Sequence, residues 1–127
     1  MILYHFTDYW LVRTILKEGL KPGSFFDPDY DWPPANAVWL TTQNHQESIF
    51  GWSSLKEIRI TLVIPSNDQR LVRWKRWLQR HDPHLLVAVH GAAWVTYCWV
   101  YFGIVPASCI EAWEFTDLAL KSLYDVE

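Results

Sequence analysis

His5 and Thr7 stand two residues apart at the end of an apolar run, Ile2 to His5, and just ahead of a helical pattern. Successive strand residues face opposite sides, so an extended backbone aims both side chains the same way. An imidazole and a hydroxyl so placed can hold a ribose or a phosphate by hydrogen bonds. A helix N-terminus nearby favours negative or electron-rich groups. The plainer reading is that His5 bonds a backbone carbonyl and that Thr7 or Asp8 caps the helix. A second stretch, Val38-Trp39-Leu40-Thr41-Thr42, alternates likewise, and Trp39 and Thr41 share the face that Val38 and Leu40 leave. An aromatic plane beside hydroxyls suits a planar heteroaromatic ring. With nine Trp in the chain, a core position is equally open to Trp39.

Other residue groups carry weaker chemistry. A helix is expected from Asn67 or Asp68 to about Arg80, with Leu71, Trp74 and Leu78 on one stripe and Arg73, Arg76 and Arg80 roughly opposite. With Arg70 and Lys75, and with Trp74 and Trp77 interleaved, those arginines could meet a nucleic acid or an acidic protein surface, or form a solvated face. His81 and His84 are separated by Pro83, which prevents a helical pair, and no further ligands stand near, so no zinc site is expected. Asp27, Asp29 and Asp31 alternate like calcium ligands, but no glycine makes the sharp turn and Val38 stands where a closing Glu is needed. A solvated acidic loop is expected there. Cys98 falls in an apolar strand, where a thiol is a poor nucleophile. It and Cys109 are expected as free thiols rather than a bridge.

These residues need elements to position them. The chain has 127 residues, half of them hydrophobic, and a formal net charge of -3. That suits one domain, residues 1–127, with a real core and no global field to attract nucleic acid. No charged and apolar leader pattern opens it and no apolar run reaches membrane-spanning length, so a cytoplasmic, soluble protein is expected. Strands are expected at Ile2–His5, Ala37–Thr41, Lys56–Ile64, Val95–Phe102 and Ile110–Thr116. Leu11, Val12, Ile15, Leu16 and Leu20 recur at helical spacing, with Arg13 and Lys17 on the wet side and Gly19 as the terminator. Residues 24–36 read as a long Pro- and Asp-rich loop, 84–94 is ambiguous, and Leu118–Leu123 reads as a terminal helix. Strands and helices do not alternate as βαβ units. The expected class is therefore α+β, with a split or curled sheet and flanking helices.

Taken together, His5-Phe6-Thr7, the helix closing in Ile15-Leu16-Lys17-Glu18-Gly19-Leu20, and Val38-Trp39-Leu40-Thr41-Thr42 resemble the opening half of the ADP-ribosyltransferase-like fold. They are most similar to the RNA 2′-phosphotransferase branch and to small toxin-like transferases. The likeness covers residues 1–42, and Gly103-Ile104-Val105-Pro106 through Ile110 adds a turn often seen before that family's last strand. The resemblance implies a split-sheet cleft that takes NAD as substrate, or an ADP-ribosylated intermediate, and transfers ADP-ribose to a protein or nucleic acid without a metal. It implies that His5 holds a ribose, that Phe6 and Thr7 line the cleft, that Trp39 walls the nicotinamide and that Thr41 and Thr42 brace that wall. Arg13 is the nearest basic candidate. The family's NAD-using members place a Glu in a late strand, but Thr96-Tyr97-Cys98-Trp99-Val100-Tyr101 holds no acid. Tyr97 or Tyr101 would have to supply a hydroxyl instead. The alternative is a catalytically inactive module or inhibitor that docks a protein or nucleic acid through its aromatic and Arg-rich surface.

Overall fold

The computed structural model describes residues 1–22, 37–45, 56–89 and 96–117. Alternating apolar residues zip the central strands. β1 (Ile2–Thr7) runs antiparallel to β3 (Ile58–Val63) over six register pairs, from Ile2↔Val63 to Thr7↔Ile58. β2 (Ala37–Thr41) pairs with β5 (Cys98–Phe102) over five, from Ala37↔Phe102 to Thr41↔Cys98. A short β4 (Leu71–Arg73) adds to the free side of β5, and β6 (Ile110–Phe115) to that of β3. The result is a six-stranded antiparallel sheet in the order β4-β5-β2-β1-β3-β6, within one small α+β domain. Its halves join at β1 and β2, which share a single register pair, Tyr4↔Thr41.

Each sheet face carries its own core. On one, Leu3, Leu40, Ile60 and Leu62 meet Val12 and Ile15 of helix α1 (Val12–Glu18). On the other, Trp39 and Val100 meet Trp74 and Leu78 of helix α2 (Trp74–His81). All five residues of β2 are buried, because both of its faces are covered. α1 stops at Gly19, whose φ of 84° and ψ of 179° suit only a residue without a Cβ. The next residue, Leu20, exchanges backbone hydrogen bonds of 2.9 and 2.8 Å with Val105, tying the helix end to the turn before β6.

Several sequence expectations change. The helix expected from residue 67 begins only at Trp74, because Leu71–Arg73 pairs with Trp99–Tyr101 at the sheet edge. Backbone bonds to a ready strand outweigh the local helical pattern there. Leu71 therefore enters the first core while Trp74 and Leu78 enter the second, so the three do not share a stripe. Neither Thr7 nor Asp8 caps a helix through its side chain: Thr7 ends β1, and the carboxylate of Asp8 lies 3.5 Å from Lys56 Nζ. Pro83 opens helix α3 (Pro83–Val89) rather than merely breaking the chain, since its missing N–H is harmless in a first helical turn. β5 starts at Cys98 instead of Val95. The loop expected at 24–36 with its aspartates, the stretch 90–94 and the helix expected at Leu118–Leu123 lie outside the described residues. Among the described residues no helix is long and apolar enough to cross a membrane.

Candidate functional site

His5 sits where the two halves of the sheet meet. It is half-buried, and two-residue alternation puts it on the same side as Leu3. Its Nδ1–H donates to the carbonyl oxygen of Trp39 at 2.8 Å. Burial lowers the imidazole pKa from its ordinary value, and the bond to Trp39, which favours the charged ring, offsets part of that. At neutral pH the ring is therefore uncharged. With the proton on Nδ1, its Nε2 is an acceptor. The plainer sequence reading, a histidine that bonds a backbone carbonyl, is thus observed. The same bond holds the ring in one tautomer, as a ligand-orienting histidine requires.

The other sequence candidates do not gather around this ring as one open wall. Phe6 and Thr7 are buried in β1. Trp39 is 5 % exposed and its side chain leaves the sheet on the face opposite His5, in the second core. There it meets Trp74 edge-on at 4.8 Å, Trp74 stacks on Trp77 at 4.9 Å, and Trp77 stacks on His81 at 4.6 Å. The main-chain oxygen of Trp39, not its indole, is what reaches His5. Thr41 is fully buried and its Oγ1 accepts the Gln43 N–H at 3.1 Å. Thr42 is half-buried and bonds Tyr97 through the backbone at 3.1 Å. Tyr101 is buried in the first core and its hydroxyl donates to Asp68 at 3.0 Å. Burial, then that hydrogen bond and the Asp68 charge, raise its pKa, with Arg70 opposing. Tyr101 is thereby committed to anchoring the turn before β4, while Tyr97 is half-buried just ahead of β5.

Arg13 opens onto a different feature, a groove of about 710 Å³ between α1 and β6 whose lining includes Tyr9, Trp10, Leu16, Lys17 and Trp113. His5, Thr7 and Trp39 do not line it. Sequence reasoning passed over Tyr9 and Trp10. The signal was present: Trp10, Arg13 and Lys17 follow at spacings of three and four, which places them along one side of a helix. Across the sheet, α2 turns Lys75, Arg76 and Arg80 outward, with Arg73 exposed at its N-terminus. Arg73 reaches the Thr96 carbonyl at 3.4 Å, and none of these four cations forms an ion pair among the described residues. The described residues also contain no group of His, Cys, Asp and Glu able to hold a metal. Cys98 and Cys109 are free, and burial holds the Cys98 thiol well above its usual pKa.

Comparison of the whole chain with protein families, with curated proteins and with solved structures produced no match.

Proposed function

We propose that the chain binds NAD or a related ADP-ribose ligand at the junction of β1 and β2, on an ADP-ribosyltransferase-like split sheet. The observation that carries this reading is the narrow contact of those strands, one register pair against the five and six of their outer neighbours, with an oriented, neutral His5 beside it. His5 would orient a ribose of the ligand. Transfer of ADP-ribose to a protein or nucleic acid would have to proceed without a carboxylate from β5, because Cys98–Phe102 contains none and Tyr101 is held by Asp68. Binding is therefore the primary activity proposed. Isothermal titration with NAD and ADP-ribose tests it: the parent binds, and His5→Ala weakens binding about tenfold, the worth of one well-made hydrogen bond. Thermal melts establish that the variant is folded. No heat from the parent with either ligand sinks the reading.

A second reading keeps the fold and gives it a docking role. The outward cations of α2 favour it, because Arg73, Arg76 and Arg80 remain available for a polyanionic partner on an otherwise acidic chain. Salt-dependent capture of such a partner, lost on reversing those three charges, is its test.

A further inference from the structure

We propose that the groove between α1 and β6 is a binding site for single-stranded nucleic acid, distinct from the β1–β2 junction and independent of whether NAD binds there. Two aromatic rings are presented to solvent at its mouth. Trp10 is 75 % exposed and Tyr9 53 %. Tyr9 is held as a platform: its ring stacks on Phe115 at 5.4 Å and tilts against Trp113 at 6.0 Å, while its N–H donates to Glu57 at 2.7 Å. Beside the rings run Arg13 and Lys17, one helical turn apart, about 6 Å along the axis. Neither forms an ion pair among the described residues, and none of the described residues that line the groove is a carboxylate.

Flat hydrophobic planes beside uncompensated cations match a ligand that repeats a flat ring and a negative charge. A nucleic-acid strand does so at every residue. An acidic peptide would satisfy the cations but leave the indole and phenol faces uncovered. A duplex hides its base faces within the stack, so the strand must be single. One nucleotide offers one base, whereas the groove offers two exposed rings and two cations, so at least two successive nucleotides are accommodated.

The test is fluorescence anisotropy at low salt with end-labelled oligo(dT) and oligo(U) of about eight nucleotides, a common site size for single-strand binders. The parent is expected to bind. Trp10→Ala, at an exposed position, is expected to weaken binding about five- to hundredfold, the effect of losing one stacked base. Arg13→Glu with Lys17→Glu is expected to abolish it, and neutral Gln at both positions to reduce the log–log salt slope by roughly one to two. Absence of binding by the folded parent overturns the proposal, as does unchanged affinity in Trp10→Ala. Loss on Arg76→Glu without loss on Trp10→Ala would move the site to α2 and also overturn it. Competition by UMP as strong as by the oligomer would make the site a free-nucleotide pocket, and equal competition by polyglutamate would reduce it to charge alone; either result removes the strand. His5→Ala, which tests the ligand at the β1–β2 junction, leaves oligomer binding unchanged.

Discussion

The bond from His5 Nδ1 to the Trp39 carbonyl joins two strands that the backbone ladder scarcely joins. Because burial depresses the His5 pKa, the unfolded chain takes up a proton before the folded chain does. Stability should then be greatest above the unfolded value of about 6.5 and fall as pH drops from there through the lower folded value. Chemical denaturation at several pH values checks this, and His5→Gln should flatten that part of the profile. The two thiols make a second residue-level prediction. Cys98 is buried and its pKa is raised well above the ordinary value, while Cys109 is half-buried and raised by burial and then by the Asp68 charge. A thiol reagent at neutral pH should therefore modify Cys109 first and reach Cys98 only on unfolding, as read by mass spectrometry.

Among the elements, the junction of α1 with the turn before β6 is the most constrained. A methyl on Gly19 would run into the Val105 carbonyl oxygen in a conformation nearly restricted to glycine. Gly103 also has a positive φ, 97°, but a methyl there meets nothing. Gly103→Ala should thus cost about 1–2 kcal/mol, the ordinary penalty for a left-handed residue. Gly19→Ala should cost more, since Val105 must also move and its bonds with Leu20 loosen. Urea titrations of the two variants test the order. β4 is an equally specific element: Leu71↔Tyr101 to Arg73↔Trp99 is its whole ladder, and Val72→Pro should melt that edge while leaving β1 and β3 protected from amide exchange.

For the molecule as a whole, one sheet separates two cores that depend on different helices. Trp74 is completely buried in the second core and meets both Trp39 and Trp77. Trp74→Ala should destabilise the domain by about 3–5 kcal/mol, and Trp74→Phe by less, in thermal or denaturant melts. The same separation arranges the proposed functions in space. The β1–β2 junction lies in the middle of the sheet, the aromatic and cationic groove lies beside α1 on one face, and the α2 cations lie beyond the other face. Oligonucleotide binding and ADP-ribose binding should accordingly respond to different variants.

The strand alternation of Ile58, Ile60, Leu62 and Ile64, the stop at Gly19 and the opposed faces of Trp39 and Val38 were legible in the sequence because each depends on local periodicity or on a single backbone conformation. The α+β class followed from the order of those elements. Local pattern carries no information about which strand edge is waiting for Leu71–Arg73, so that stretch read as helix until β5 was beside it. Nor does it say which face of β2 looks toward His5. The sequence correctly put Trp39 and Thr41 on one face, but only the register Tyr4↔Thr41 turns that face away from His5 and takes Trp39 into the second core. Tyr101 likewise kept a free hydroxyl in the sequence and lost it to Asp68 in the fold. Contacts between residues distant along the chain decided these points, and such contacts exist only once the sheet has closed.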